Sequence, residues 1–372
     1  MEKTSVKVLH IVPGFLFGGI ESRLIDWYSC MDRDAIQFDV IKVTPDAPNP
    51  LVDQIQAMGG HVFSIPPLGI KTAIRHFRLI KSIMQKTQYD VVHSHSCAYG
   101  LYPLFLAKKM GIKLRILHSR TTNYNPGDKH VFISKAMGKA AVPLATKYFA
   151  CSEEAGIWAF RGHSVEVIKN GIFLDTFALD EQNRIQKRQK LQLETAFVLG
   201  YVGRFSTQKN VPFLLEILKR VVEVHSNTIL VMVGEDQGKV ANQFKQSAQE
   251  MGLEKHILYA GRQDHVQEWY QTFDVFLLPS HFEGFGTVTI EAQASGLPCI
   301  VSTGVPKSVK VTEEVSFLDT TDPIPWVEKC LSYVGKARNP GDIERIREAG
   351  YDVKTTANKL KALYLSAKDT RS

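Results

Sequence analysis

The chain has 372 residues, of which 44% are hydrophobic and 22% are charged, and its formal net charge at pH 7 is +7. This length and composition predict a globular protein of two domains. Five cysteines without a C-x-x-C pair argue against a disulfide framework, and no run approaches the roughly 20 apolar residues that span a bilayer. Because the first residues show no cleavable signal pattern, we expect a cytoplasmic protein and exclude an integral membrane or secreted one.

The positive charge is confined to the first half of the chain. Residues 1–177 contain 21 Lys and Arg residues against 14 Asp and Glu residues, whereas residues 178–372 contain 24 of each kind. Within residues 68–147 the counts are 14 and 2. Such an excess predicts an anionic partner. No nucleic-acid recognition motif is present, so we expect an anionic membrane surface, on the inner face of the membrane, or a diphosphate-bearing acceptor.

The first strand is predicted at residues 6–12 (VKVLHIV), and a glycine-containing turn and an amphipathic helix follow it. The turn ends in Gly18 and Gly19, which would let the backbone approach a ligand phosphate at the start of the helix. A tight turn without a ligand explains this pair equally well. Gly14, Gly18 and Gly19 do not have the G-x-G-x-x-G spacing of a dinucleotide site.

Strand and helix patterns then alternate as far as residue 95, which predicts a parallel sheet wrapped by helices. The segment YDVVHSH (89–95) ends in His93 and His95, at the carboxyl end of a strand, where open α/β sheets bind ligands. The two-residue period of a strand places both rings on one face. A single histidine in this position is more often structural than functional.

Further strands are predicted at residues 114–121 (LRILHSRT), 147–152 and 165–171. The polar loop after the first of these, which contains Arg120 and Asn123, is a candidate for the acceptor side of a site. Residues 175–195 are polar and charged and contain no strand pattern, so we expect the junction between the two domains there.

A second series of strands begins at residues 196–203 (AFVLGYVG) and continues at 228–235, 256–262 and 273–280. Arg204 and Lys209 follow its first strand, with a spacing that would let both reach one diphosphate. Two solvated loop cations would be the better interpretation of this pair alone. Asn210 is expected to cap the helix that starts near Pro212.

Glu283 and Glu291 lie eight residues apart in the segment FEGFGTVTIEAQASGLP (282–298). Gly284 and Gly286 interrupt any continuous helix, so the helix is predicted to begin near Thr287 and to end before Pro298. The resulting helix N-terminus, next to a small-residue turn, is suited to binding an anion. An isolated pair of this spacing would more often be two solvated acids at a helix end.

The EGFG turn followed by Glu291 resembles the Glu-x7-Glu motif of retaining glycosyltransferases of family 4, and GRFSTQKN (203–210) resembles their G-R-x4-K diphosphate motif. The resemblance covers nearly the whole chain and is closest to the capsule and exopolysaccharide branch. It implies the GT-B fold, in which two Rossmann-like, doubly wound parallel-sheet domains face each other across a cleft. It further implies a terminal helix that crosses back, which gives domains at residues 1–177 and 178–350 and a C-terminal helix at 351–372.

The resemblance also implies roles for individual residues. Glu283 would contact hydroxyls of the donor sugar, Glu291 would hold the ribose, and His95 would approach the sugar near the reacting carbon. Arg204 and Lys209 would bind the diphosphate. The remaining implied donor-site residues are Gly18, Gly19, Gly234, Arg262, Gly284, Phe285, Gly286 and Thr287.

The implied reaction is retaining transfer of a sugar from a nucleoside diphosphate sugar, with UDP as the expected nucleotide, to a glycan or lipid-diphosphate-linked acceptor. We expect no cofactor and no metal, because Arg204, Lys209 and the helix N-terminus would stabilise the negative charge of the diphosphate. The histidines are dispersed along the sequence and lack the spacing of a zinc site.

Two other functions remain compatible with alternating strands and glycine turns. A two-domain nicotinamide-dependent oxidoreductase would need the missing G-x-G-x-x-G motif and its ribose-binding acid. A non-catalytic sugar-nucleotide sensor would bind the donor without turnover, so a turnover measurement separates it from an enzyme.

Overall fold

A computed structural model describes residues 5–14, 19–44, 50–69, 71–124 and 130–369. The chain forms two compact units. The first contains Met1–Ile172 and Asp352–Ser372, and the second contains Phe173–Tyr351. The first unit therefore ends before the junction expected at residues 175–195, because much of that polar segment folds as two helices of the second unit.

The first unit is an α/β unit in which strands and helices alternate. Its strands are β1 (Val6–Val12), β2 (Ile36–Lys42), β3 (His61–Ser64), β4 (Val91–Ser94), β5 (Leu114–Ser119), β6 (Lys147–Ala150) and β7 (Glu166–Val167). Its first six helices are α1 (Gly19–Ser29), α2 (Pro50–Ala57), α3 (Ala73–Lys86), α4 (Cys97–Lys109), α5 (Val131–Ala141) and α6 (Glu153–Phe160). The C-terminal helix of the chain also belongs to this unit and packs against α1.

The seven strands of the first unit form one parallel sheet in the order β3-β2-β1-β4-β5-β6-β7. The strand order reverses between β1 and β4. Right-handed crossovers then place α1 and α2 on one face of the sheet and α3, α4 and α5 on the other. Because helices cover both faces, the central strands are almost entirely buried, which explains their long apolar runs.

The second unit repeats this construction. Its strands are β8 (Phe197–Val202), β9 (Thr228–Val233), β10 (Ile257–Gly261), β11 (Val275–Leu278), β12 (Cys299–Ser302) and β13 (Val315–Leu318). Its helices are α7 (Leu174–Phe177), α8 (Glu181–Lys190), α9 (Pro212–Val224), α10 (Lys239–Glu250), α11 (Gln267–Thr272), α12 (Thr287–Ala294), α13 (Ile324–Leu331) and α14 (Ile343–Ile346). The chain then returns to the first unit as α15 (Val353–Asp369).

The second sheet is also parallel, with the order β10-β9-β8-β11-β12-β13. The strand order reverses between β8 and β11. Strands β8 and β11 of this sheet therefore correspond to β1 and β4 of the first sheet. In such doubly wound sheets, ligands bind outside the carboxyl ends of the strands at the point of reversal. The fold class predicted from the sequence, two Rossmann-like parallel-sheet units, is confirmed.

Two local predictions differ from the structure. Asn210 does not cap α9, because its backbone is left-handed (φ 51°) and α9 begins at Pro212 without a side-chain cap. Strand β13 was not predicted, since its four residues follow a charged segment and carry no long apolar run. Within the described residues, no helix is both long enough and apolar enough to cross a bilayer.

Candidate functional site

The loops after β8 and β11 meet at the reversal point of the second sheet. Lys209 lies in the first loop and Glu283 in the second, and 74 residues of sequence separate them. The Nζ atom of Lys209 lies 2.6 Å from Oε1 of Glu283. The side chains are only 16% and 9% exposed, so water screens this ion pair weakly. The structure thus brings together two residues that the sequence assigned to one donor.

Ser280 is the second partner of Glu283. Its hydroxyl donates to the same Oε1 atom at 2.6 Å, and its own side chain is fully buried. Ser280 lies just after β11, and its carbonyl accepts a hydrogen bond from the hydroxyl of Ser302, the last residue of β12. Sequence reasoning missed Ser280, although its position at the end of a buried strand was a signal that could have found it.

Backbone hydrogen bonds hold the two loops in register. The His281 amide donates to the Gln208 carbonyl at 2.8 Å, and the Gln208 side chain donates to the Phe282 carbonyl at 3.1 Å. The Glu283 amide donates to the Gly304 carbonyl at 3.0 Å. These contacts fix the position of the Glu283 backbone.

Helix α12 begins at Thr287, as the sequence predicts, directly after a turn that ends in Gly286. Gly286 has φ 94° and ψ 50°, a left-handed conformation that favours glycine. Phe285 is buried, and its ring stacks on Tyr351 with a centroid distance of 5.2 Å. The hydroxyl of Thr289, in the first turn, is buried without a partner among the described residues. The start of α12 therefore combines a helix N-terminus, a small-residue turn and a buried hydroxyl.

Glu291 lies on α12 and is 8% exposed. The hydroxyl of the buried Tyr270 donates to its Oε2 atom at 2.8 Å. Tyr270 was not among the predicted site residues, because it lies in α11 and nothing in its local sequence marks it. Tyr270 fixes the orientation of the Glu291 carboxylate, which the sequence indicated only through the family motif.

The other predicted residues of this unit lie at the carboxyl edge of the same sheet. Gly234 follows β9, and a Cβ atom there would lie 2.0 Å from the carbonyl oxygen of Gly203, so only glycine fits. The Arg262 guanidinium pairs with Asp264 at 3.2 Å. The Arg204 side chain is exposed, in contrast to Lys209.

In the first unit, four histidines gather at the reversal point between β1 and β4. His10 on β1 pairs in register with His93 on β4, His95 follows β4, and His118 lies on the neighbouring β5. All four side chains are at most 2% exposed. The His93 and His95 rings stack at 4.3 Å, which confirms that they share one face.

Arg120 determines the protonation pattern of one half of this cluster. Its Nε and Nη2 atoms lie 3.3 and 3.1 Å from Nδ1 of His95. Arginine can only donate, so His95 carries its proton on Nε2 and donates to Nδ1 of His10 at 3.1 Å. His10 then carries its proton on Nε2, which has no partner among the described residues. Both ring nitrogens of His95 are therefore engaged within the first unit.

The other half of the cluster reaches the terminal helix. The Tyr364 hydroxyl on α15 lies 2.7 Å from Nδ1 of His93, and Nε2 of His93 lies 3.0 Å from Nδ1 of His118. His10, His118 and Tyr364 were missed in the sequence analysis, because each lies in an ordinary strand or helix pattern far from the others.

Burial keeps these histidines neutral. It lowers the pKa of His10 to about 3, and the Arg120 charge adds to the effect. The pKa values of His93, His95 and His118 are lowered well below their ordinary value, again mainly by burial. Burial also lowers the pKa of Arg120 to about 10, so this residue remains a cation near pH 7.

The histidines are dispersed along the sequence, but the fold brings four of them together, which corrects the expectation drawn from their spacing. Ligand atoms of His10, His93 and His95 lie within 4.8 Å of one another, a spacing that could hold a metal ion. However, His95 uses one nitrogen to bond His10 and the other to accept from Arg120. A metal would have to displace these bonds next to a guanidinium cation, so the arrangement favours a hydrogen-bonded cluster.

The remaining predicted residues of the first unit are less informative. Gly18 lies outside the described residues, and Gly19 is the first residue of α1. Arg120 is anchored on three sides, by His95, by Oδ1 of Asn170 at 2.7 Å and by the Trp27 ring at 4.8 Å. Asn123 is exposed in the loop after β5.

Comparison with protein families matches both units. Residues 17–176 match the family described as Glycosyltransferase Family 4, and residues 183–329 match Glycosyl transferases group 1. The chain is a glycosyltransferase, with a family 4 match over its first unit and a group 1 match over its second. The matches cover the loops that carry His95 and Arg120 in one unit and Lys209, Glu283 and Glu291 in the other.

Similar proteins match nearly the full length of this glycosyltransferase. It is 28% identical to the protein of Bacillus subtilis (strain 168) named "Putative glycosyltransferase EpsF", with 98% of this chain and 97% of EpsF covered. It is also 28% identical to the capsular polysaccharide biosynthesis glycosyltransferase CapH of Staphylococcus aureus, with 97% and 99% covered.

A solved structure supports the fold of this glycosyltransferase. HepE of Anabaena in complex with UDP-glucose has a TM-score of 0.74 and 16% identity, with 98% of this chain and 97% of HepE covered. The fold is GT-B. No comparison favours the nicotinamide-dependent oxidoreductase considered from the sequence.

Proposed function

We propose that this glycosyltransferase moves a hexose from a UDP-sugar to a growing glycan or a lipid-diphosphate-linked acceptor, with retention at the anomeric carbon. The product would be a capsule or exopolysaccharide, a role supported by the similarity to CapH. The UDP specificity is supported by the UDP-glucose bound to the similarly folded HepE.

The observation that carries the proposal is the ion pair between Lys209 and Glu283 at the reversal point of the second sheet. A nucleoside diphosphate sugar presents an anionic diphosphate next to neutral sugar hydroxyls. Lys209 would turn to the diphosphate, and Glu283 would accept hydrogen bonds from the sugar. Because the Lys209 ammonium and the Glu283 carboxylate are in contact, a donor that binds both would place the bond between its sugar and its diphosphate next to them.

The diphosphate would also be stabilised by the start of α12. The amides after Gly286 point out of the helix N-terminus, where they favour an anion. The unpartnered Thr289 hydroxyl and the exposed Arg204 side chain add donors near this loop. As the glycosidic bond breaks, negative charge grows on the departing diphosphate, and donors already in position stabilise it without reorganisation.

Glu291 would bind the ribose hydroxyls of the donor. The Tyr270 hydroxyl donates a hydrogen bond to one oxygen of the Glu291 carboxylate, which fixes the orientation of that carboxylate on α12. Gly234 and Arg262, at the ends of neighbouring strands, would lie on the nucleotide side.

Two chemical routes give retention, and the contacts of Glu283 favour one of them. Covalent attack would need a free carboxylate nucleophile. Glu283 instead accepts a hydrogen bond on Oε1 from the buried Ser280 hydroxyl, which lowers its nucleophilicity even after Lys209 has turned to the diphosphate. We therefore propose departure of the diphosphate from the face on which the acceptor attacks, with the diphosphate taking the acceptor proton.

The acceptor would bind the first unit, where Asn123 is an exposed polar candidate. Arg120 contacts His95 and Asn170 and would act by positioning them. The approach of His95 to the donor sugar stays a prediction, and it requires one ring nitrogen to exchange its present partner.

A thermal-shift panel with UDP, GDP, ADP and NAD tests the nucleotide assignment. A nucleotide present at 100 times its dissociation constant raises the free energy of unfolding by about 2.7 kcal/mol. We expect UDP to give the largest shift and NAD none. A shift with NAD alone would contradict the assignment, and donor binding without any sugar transfer to glycan or lipid acceptors would identify a sensor.

A further inference from the structure

Helices α3, α4 and α5 form a continuous layer on one face of the first sheet. Helix α4 packs against both of the others. The inner side of the layer is apolar and contributes Ile80, Met84, Leu104, Ala107 and Ala141 to the core of the unit. The outer side faces away from the sheet, and we call it the α3–α5 face.

The α3–α5 face carries only positive charge. The three helices contain no Asp or Glu. The eight basic residues of these helices are all exposed, and none of them forms an ion pair with another described residue. They are Arg75, Arg78, Lys81, Lys86, Lys108, Lys109, Lys135 and Lys139. A surface helix normally mixes both signs of charge, so this layer is suited to an anionic partner.

Large apolar side chains stand among these cations. The exposed fractions are 84% for Phe132, 68% for Ile74, 54% for Ile133, 44% for Met110 and 40% for Phe105. Ile74, Phe132 and Ile133 lie in the first turns of α3 and α5. Helices that follow parallel strands begin at the carboxyl edge of the sheet, so these three side chains lie at the edge that carries the His95 and Arg120 loops.

We propose that the α3–α5 face binds an anionic phospholipid surface, with Phe132 and Ile133 entering the headgroup region and the basic side chains contacting the headgroups. Basic residues are attracted to an anionic lipid surface. Exposed apolar residues add to the membrane affinity when they are buried among the lipid headgroups. The two signals together give firmer binding than either alone. The proposal does not depend on the transfer reaction.

The same observations argue against other partners. In a symmetric dimer formed through this face, each patch would meet its own copy, and eight cations would face eight cations. A nucleic acid would satisfy the charges but would leave Phe132 and Ile133 without an apolar environment. The combination of cations and protruding apolar groups fits a lipid interface.

Vesicle co-sedimentation tests the proposal with the full chain. Wild-type protein is mixed with vesicles of phosphatidylcholine alone or of phosphatidylcholine with phosphatidylglycerol. We expect binding to the anionic vesicles only, weakened by salt, because the Debye length falls from about 10 Å at 0.1 M to about 3 Å at 1 M ionic strength. Phe132→Ser with Ile133→Ser, and Lys135→Glu with Lys139→Glu, should each lower the affinity by about tenfold or more.

Matched variants on the second unit serve as controls. Ile185→Ser with Ile324→Ser removes apolar side chains that are 54% and 50% exposed, and Lys219→Glu with Arg220→Glu reverses two exposed cations of α9. These controls should bind anionic vesicles like the wild type. An equal loss in the controls would show that net charge or general surface hydrophobicity, rather than this face, causes binding.

Fluorescence of a Phe132→Trp variant reports insertion directly. We expect its added emission to shift to shorter wavelength with anionic vesicles and to remain unchanged with a single-stranded DNA. The proposal is overturned by equal binding to neutral and anionic vesicles, by wild-type binding of the Phe132 and Ile133 double variant, or by binding to DNA in place of vesicles. Loss of a dimer in that double variant would likewise overturn it, since the face would then bind a second copy.

Discussion

The contact between Lys209 and Glu283 changes what is expected of each side chain. Glu283 neutralises a cation that the donor diphosphate would need. Removing the carboxylate charge should release Lys209 for the diphosphate. Because the pair is largely buried, removal of one charge can also weaken the fold, so stability must be measured beside activity.

Replacing each glutamate by glutamine should separate their roles. Glu291→Gln removes a charge-assisted hydrogen bond to the ribose, worth about 1.5–3 kcal/mol, and should weaken UDP and donor alike. Glu283→Gln should leave UDP affinity within about twofold, or tighten it, while turnover falls at least a hundredfold, about 2.7 kcal/mol of barrier. Calorimetry with UDP and a donor-turnover assay measure both effects.

The opposite pattern would contradict this assignment. If Glu283→Gln abolishes UDP binding while Glu291→Gln leaves it intact, the two roles are reversed. Thermal melts of both variants without ligand control for loss of folding.

Tyr270 is expected to position Glu291 without touching the donor. Tyr270→Phe removes the 2.8 Å hydrogen bond to Glu291 and should weaken UDP binding by about 1 kcal/mol, roughly fivefold. Added to Glu291→Gln, the same change should have little further effect, because the group that it positions is already altered. Calorimetry on the two single variants and the double variant measures the coupling.

Tyr333→Phe is a matched control, since Tyr333 also hydrogen-bonds a glutamate of the second unit, Glu314 at 3.3 Å. Its UDP affinity should equal that of the wild type. Strictly additive effects of Tyr270→Phe and Glu291→Gln would show that Tyr270 acts independently of Glu291.

Helix α12 is short, and its start rather than its length matters for the site. Eight residues give little intrinsic helical stability, so the helix depends on burial of its sides, including Ile290 and Ala294. The left-handed Gly286 ends the preceding turn, so the helix starts at Thr287 with its N-terminus at the turn. The loop that carries Lys209 lies against the turn through Gln208.

These elements supply the positive charge that a metal ion provides in other phosphate sites. Sugar transfer should therefore survive treatment with EDTA, because Lys209, Arg204 and the α12 amides remain in place. A transfer assay with and without EDTA, followed by Mg²⁺ addition, measures this. Complete loss of activity that Mg²⁺ restores would refute the assignment of Arg204 and Lys209.

The two units share one strand order, and each places polar side chains at the point where that order reverses. In the second unit those side chains form an ion pair, whereas in the first they form a neutral histidine cluster next to one arginine. The cluster also ties the terminal helix to the first sheet through Tyr364. Stability of the first unit thus depends on keeping four buried imidazoles neutral.

The first unit should lose stability in mild acid. The folded state holds the four histidines neutral because their pKa values are lowered, whereas the unfolded chain protonates them near pH 6.5. Below that pH the unfolded state binds more protons, so the free energy of unfolding falls as pH falls. Each histidine contributes about 1.4 kcal/mol per pH unit, and all four about 5 kcal/mol.

Urea unfolding followed by hydrogen-exchange mass spectrometry reports the two units separately and measures this effect. Peptides from β4 and β5 should show a steep loss of stability between pH 6.5 and 5.5, and peptides from β8 and β11 serve as the internal control. A flat response of β4 and β5 over that range would contradict neutral burial of the cluster.

Local sequence was sufficient for the features that depend on neighbours along the chain. Apolar runs located most of the strands, and glycine and proline signals located the start of α12 and its end before Pro298. The Glu-x7-Glu spacing singled out Glu283 and Glu291. Strand β13 was missed, because its apolar pattern is too short to stand out from its charged flank.

Contacts between distant segments were decided by the tertiary structure. Lys209 and Glu283 are 74 residues apart, and His10 and His95 are 85 apart, so no local pattern could pair them. The sequence indicated a diphosphate ligand for Lys209 and a dispersed set of histidines, whereas the parallel sheets bring the carboxyl ends of remote strands to one edge. Burial at that edge then decides which side chains stay charged, because desolvation disfavours an ion unless a partner of opposite charge lies within reach.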